Sequence, residues 1–152
     1  MTPAGHTTAV RIIHDLIQVH FDRSENYRKA LFHFGHSAPD LKVIFGEAIR
    51  QSIQYQQELL NSISAFDGAP QHHKRRGNVY NTWARGKTEI AGEDHKIILE
   101  SCKVEMVAVR LAYQAALAIA GLVEPTLRRL LESQLYGIRS MLDSLEQYEN
   151  AL

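Results

Sequence analysis

The chain of 152 residues contains one cysteine, Cys102, and can therefore close no internal disulfide and build no cysteine-based metal site. That excludes disulfide-stapled secreted domains and structural zinc modules together. A surplus of charge is also missing: 17 basic side chains balance 17 acidic ones, the formal charge is zero and the pI is about 7.1. A nucleic-acid binder would carry extra Lys and Arg to neutralise phosphates. Aromatics make up only 8% of the residues, too sparse and scattered for a base-stacking platform. No apolar run approaches the ~18 to 20 residues that span a bilayer. Nor does Met1 to Thr8 have the charged-then-apolar pattern of a leader. The expectation is a cytoplasmic protein with no nucleic-acid and no membrane partner. Glycine-rich phosphate loops and nucleophile elbows are absent as well.

What is present is helical periodicity. The few glycines and prolines fall between long segments whose apolar residues recur at steps of three and four. The first segment, about 8–34, carries Val10, Ile13, Ile17, Phe21, Tyr27, Leu31 and Phe34, and Gly35 stops it. Ser37, Pro39 and Asp40 read as the cap and first turn of a second helix, about 39–66, with Leu41, Ile44, Phe45, Ala48, Tyr55, Leu59 and Ile63 on its stripe. Gly68 and Pro70 close it. A third helix, about 94–120, follows Ile98, Cys102, Val109, Ala112, Ala116 and Ile119 to Gly121. After Glu124-Pro125 a fourth, about 125–149, follows Leu127, Leu131, Ile138, Met141, Leu145 and Tyr148.

Four helices of ~25 residues, each ~37 Å long, form a bundle of matched lengths. Short connections make helices one and two, and helices three and four, two antiparallel hairpins. The segment 67–93 between them is longer than structureless loops run, so it either crosses the length of the bundle or folds partly on itself, with Val79, Tyr80 and Trp83 as an apolar anchor. Within it His72-His73-Lys74-Arg75-Arg76 is the one strong charge block. It reads either as a contact for an anionic partner or lipid head group, or as a solvated loop.

Polar residues at apolar-stripe positions are informative because an unpaired polar group buried among Leu and Ile is costly. Here they are His20 and Ser24 flanking Phe21, Ser52 between Ala48 and Tyr55, Glu105 after Cys102, and Gln134 between Leu131 and Ile138. Pairing positions along the hairpins sets Ser52 near Phe21 and Glu105 within about a turn of Gln134, which predicts one buried polar layer. Di-metal carboxylate bundles place two Glu-x-x-His pairs at such a level. This chain offers Gln51-x-x-Gln54, Glu47-x-x-Arg50 and Glu132-Ser133-Gln134-Leu135 instead, none with an imidazole. Glu105 thus reads either as a metal ligand or proton acceptor, or as a buried carboxylate held by Gln134, a serine hydroxyl or an arginine. Cys102 reads as a small buried apolar residue.

The order Leu16-Ile17, Asp22 and Tyr27; Glu47 and Tyr55-x-x-Glu58-Leu59; Trp83 with Lys87; Ile98-Leu99-Glu100-x-Cys102-x-x-Glu105 with Tyr113 and Ala116-Leu117; and finally Gln134 resembles an uncharacterised bacterial family of ferritin-like four-helix-bundle proteins. The likeness extends from about residue 12 to 145 and implies a fold more firmly than an activity, since the family is a domain of unknown function. The chain departs from the family pattern at Ser52, where an arginine is usual, at Val104 for a glycine, at Tyr80-Asn81 for a His-Arg pair, and at Leu142 for a histidine.

The expected role is therefore that of a non-catalytic stress-associated or interaction protein with no cofactor. The alternative is a carboxylate-rich, di-iron-like or redox site holding iron or another divalent metal, with Asp22, Glu25, Glu58, Glu105 and Gln134 as candidate ligands. Apolar residues on secondary helix faces, Ile12, Leu16 and Leu111, could support a homodimer.

Overall fold

A computed structural model describes residues 3–36, 38–66, 76–120 and 124–152, and all secondary structure in them is helical. The elements are α1 (Pro3–Phe34), α2 (Pro39–Ile63) continued by a 3-10 turn (Ser64–Phe66), α3 (Asn78–Gly86), α4 (His95–Ala120) and α5 (Pro125–Ala151). Local chemistry sets their ends. After α1 the Gly35 amide donates to the Leu31 carbonyl at 3.0 Å. Helix α2 opens with Pro39 at its first position, and Asp40 accepts from the Leu41 amide at 3.0 Å. Asp94 accepts from the Ile97 amide at 2.9 Å just before α4, and Glu124 from the Leu127 amide at the start of α5. The expected signals at Ser37, Gly68, Pro70 and Gly121, and the run His72 to Arg75, lie outside the described residues.

The core divides into two apolar clusters. One gathers Ile13, Leu16, Leu59, Val79, Trp83, Val109 and Leu131; the other gathers Tyr27, Phe45, Leu99, Cys102, Met106 and Leu145. Along the chain, α1 passes from the first cluster to the second, and α2 from the second to the first. Helix α4 again runs from second to first, and α5 from first to second. His20, Arg23 and Ser24 of α1, Ser52 of α2 and Glu105 of α4, all buried, sit near where these helices change cluster.

Two expectations need correction. Phe21 does not lie on the core face of α1: it is 49% exposed. The buried face runs through Ile13, Leu16, His20, Arg23, Tyr27 and Ala30, a spacing near 3.5 residues that rotates position 21 into solvent. Ile12 and Leu16 offer no face to a partner copy, because they are buried in the same cluster as Val79, Tyr80 and Trp83. Leu111, at 41% exposed, does stay at the surface.

The crossover is partly folded: nine of its residues form α3, whose Val79, Tyr80 and Trp83 are buried as the sequence leads one to expect. Helix α3 has no side-chain cap of its own, since Gly77 occupies the cap position. Asp15 of α1 supplies the missing acceptor, taking the Gly77 amide at 3.0 Å and the Tyr80 amide at 3.2 Å. Two turns along α1, Asp22 accepts from the Tyr80 hydroxyl. One turn further Asn26 donates to the Thr88 carbonyl at 3.0 Å and accepts from the Ile90 amide at 3.2 Å. Asp15, Asp22 and Asn26 share one face of α1 and hold α3 and the strand of chain after it against that helix.

Candidate functional site

The site grows from one guanidinium. Arg23 is completely buried, and a cation in such a place requires both a counter-charge and acceptors for its N–H groups. Its Nε donates to Glu105 Oε1 at 3.0 Å, and Nη1 donates to Gln51 Oε1 at 2.9 Å and to Ser52 Oγ at 3.1 Å. Only a soft acceptor faces Nη2, the Met141 sulfur at 3.8 Å. Glu105, also fully buried, spends its second oxygen on the Trp83 indole N–H at 3.1 Å. Burial opposes the charge on Arg23, but the Glu105 carboxylate outweighs it and the guanidinium is held more firmly protonated than usual.

From Arg23 a second set of bonds crosses the interior, and its directions can be worked out from donor chemistry alone. The Tyr113 hydroxyl lies 2.7 Å from the Gln134 carbonyl oxygen, which can only accept, so Tyr113 donates there. Tyr113 must then accept from His20 Nε2, 2.7 Å away, which places the imidazole proton on Nε2. His20 Nδ1 is left as an acceptor for the Ser52 hydroxyl at 3.1 Å, while Ser52 itself accepts from Arg23. Gln134 finally gives its amide hydrogens to Glu58 Oε1 at 3.0 Å and to the Tyr55 carbonyl at 3.3 Å. Every donor points the same way, from the Arg23 cation to the Glu58 carboxylate, so each bond polarises the next.

This ordering requires a neutral His20. Burial, and then the charge of Arg23, lower its pKa well below the ordinary value. Burial raises the Tyr113 hydroxyl, with Tyr55 adding to it, and raises that of Tyr27, where Glu105 and then Cys102 contribute. The Cys102 thiol is pushed up to about 12, first by burial and then by Glu105, and so stays protonated and a poor nucleophile.

The five residues read as a polar layer, His20, Ser24, Ser52, Glu105 and Gln134, are all buried. Ser52 meets His20 and Arg23 rather than Phe21. Of the partners considered for Glu105, which were Gln134, a serine hydroxyl and an arginine, the arginine holds it, and the Trp83 indole is a second donor. Ser24 turns back on its own helix, donating to the Phe21 carbonyl at 2.8 Å. Of the candidate metal ligands only Glu58 and Gln134 are brought together. Asp22 is engaged by Tyr80 and by Gln18 at 2.8 Å, and Glu25 pairs at the surface with Arg28 at 2.9 Å. Among the described residues no three His, Cys, Asp or Glu side chains converge as a metal-binding set. A guanidinium against one Glu105 oxygen and an indole N–H against the other leave that carboxylate poorly suited to a cation.

Sequence reasoning missed Arg23, Gln51 and Tyr113. The available signal was the spacing of His20, Arg23 and Tyr27, which puts an arginine on the same face as a buried imidazole and phenol. Comparison with protein-family models, curated proteins and solved structures yields no match to this chain.

Proposed function

We propose that this chain is a ferritin-like four-helix bundle that serves a non-catalytic, stress-associated or interaction role. In this reading α1 with α2 and α4 with α5 are antiparallel hairpins, and α3 is an accessory helix in the crossover. The order in which the four long helices visit the two apolar clusters supports that arrangement. The observation that carries the functional reading is the Arg23–Glu105 contact at 3.0 Å. It gives the mid-bundle carboxylate, the residue best placed for metal or proton chemistry, a permanent internal counter-ion.

The other reactive groups at this level support the same reading. His20 is engaged on both nitrogens and Cys102 is buried and protonated. The family that the sequence resembles usually has an arginine at the Ser52 position; here the guanidinium reaches Ser52 from α1 instead. Elemental analysis of the purified protein tests the proposal. Iron, manganese and zinc well below one atom per chain are expected, and one or more per chain overturns the reading. Added Fe(II) discriminates further: the parent and Glu105→Gln should bind it equally poorly, and tight binding lost in Glu105→Gln would establish a carboxylate metal site.

A further inference from the structure

Helices α2 and α5 touch closely at one level and part below it. The close point is Gly137, where a Cβ atom would fall on the Tyr55 hydroxyl. Beyond it, toward the start of α2 and the end of α5, a half-open cavity of about 540 Å³ lies between the helices. That volume lies within the range of small-molecule sites, about 300 to 1,000 Å³. Its far end is framed by His95 of α4, whose Nε2 stands 3.2 Å from Asp40 and whose ring lies 6.2 Å from that of Tyr148.

The lining has two characters. Ile44, Met106, Met141 and Leu145 make an apolar interior, with two thioethers that can adapt to an irregular guest. The charged lining residues are both acids, Asp40 and Glu47, and no Lys or Arg lines the cavity. Asp40 already faces His95, whereas Glu47 is exposed on the rim and forms no ion pair or hydrogen bond among the described residues. The one buried cation nearby, Arg23, lies behind Met141 and is neutralised by Glu105. The nearest cation on α2, Arg50, lays its guanidinium over Gly46, and neither residue lines the cavity, so the charged groups that face the cavity itself are carboxylates.

We infer that the α2–α5 cavity is a binding site for a small amphiphilic cation, with an apolar chain or ring seated on Met106 and Met141 and a basic head group beside Glu47. The inference does not depend on the role proposed for the bundle as a whole, because it rests on residues outside the buried polar layer.

Methyl-labelled methionine provides a direct test, since two of the three methionines line the cavity. Decyltrimethylammonium and decyl sulfate share a chain and differ in head-group sign, and each is titrated below its micelle-forming concentration. The cation should move the Met106 and Met141 methyl signals saturably at one equivalent and bind about tenfold more tightly than the anion. This follows because reversing the head-group sign changes its interaction with Glu47 by twice the pair energy. Glu47→Lys, at an exposed position, should reverse the preference, and Ser144→Trp, which fills the cavity from α5, should abolish binding of both. Equal binding of the two probes, an unchanged preference in Glu47→Lys, binding that survives Ser144→Trp, or methyl signals that do not saturate would each overturn the assignment.

Discussion

Arg23 Nε lies 3.0 Å from Glu105 Oε1, and neither side chain has any surface open to solvent. Removing one partner strands the other charge in the core, so Arg23→Met or Glu105→Leu alone should cost about 3 to 5 kcal/mol. Replacing both with apolar residues should cost much less than the sum of the two, because no orphaned charge remains. Urea unfolding of the four proteins in a double-mutant cycle measures this. Additive losses would mean that the pair is not coupled.

Stability should fall in mild acid. The folded-state pKa of His20 lies below its unfolded value of about 6.5, so in acid the unfolded chain binds a proton that the folded one refuses. The contribution is complete above pH ~6.5 and is lost as pH drops from there toward the lowered folded value. His20→Gln should flatten the difference in unfolding free energy between pH 7 and pH 5. An unchanged slope would assign the acid sensitivity elsewhere.

Asp15 caps a helix to which it does not belong. Asp15→Ala should free the Gly77 and Tyr80 amides at the start of α3 and cost about 1 to 2 kcal/mol, the range of a lost N-cap. Trp83, the single tryptophan, reports on α3 through its buried indole. Its emission should shift to the red at a lower urea concentration in Asp15→Ala than in the parent.

Cys102 should resist thiol reagents in the folded protein. Its thiol is buried and its pKa is raised to about 12, so an aromatic disulfide reagent at pH 8 should react far more slowly with native than with urea-unfolded protein. Equal rates would show that the second apolar cluster opens readily.

Gln134 both accepts from Tyr113 and donates to Glu58. Gln134→Leu leaves the buried Tyr113 hydroxyl without its acceptor and should cost about 1 to 3 kcal/mol. The further substitution Tyr113→Phe should recover part of that loss in thermal unfolding. No recovery would separate the two residues.

The long helices and the level of the polar layer were legible because both follow from periodicity: a polar residue on an apolar stripe marks a buried group whatever its partner. Partners were not legible. Arg23 is 82 positions from Glu105, and an arginine in a sequence reads as surface until the rotation of its helix is known. That rotation turned on Phe21, an aromatic that continues a plausible 13–17–21 stripe yet faces solvent while His20 and Arg23 face inward. Helix α3 escaped notice for another reason. Its nine residues are too few to establish a period, and its cap lies in a distant part of the chain.

The Trp83–Glu105 bond joins residues 22 apart, whereas Arg23 must arrive from 82 positions away. During folding, α3 and α4 can meet early through a short loop closure, but together they hold a carboxylate with no counter-ion. Likewise α1 and α2 can pair early and hold a guanidinium with no anion. Each half is thus electrostatically incomplete until it meets the other, and partly assembled states are penalised by the same charges that seal the finished core. The ion pair makes the two halves of the chain a single cooperative unit, which should unfold in one step and gain order when separately produced halves are mixed.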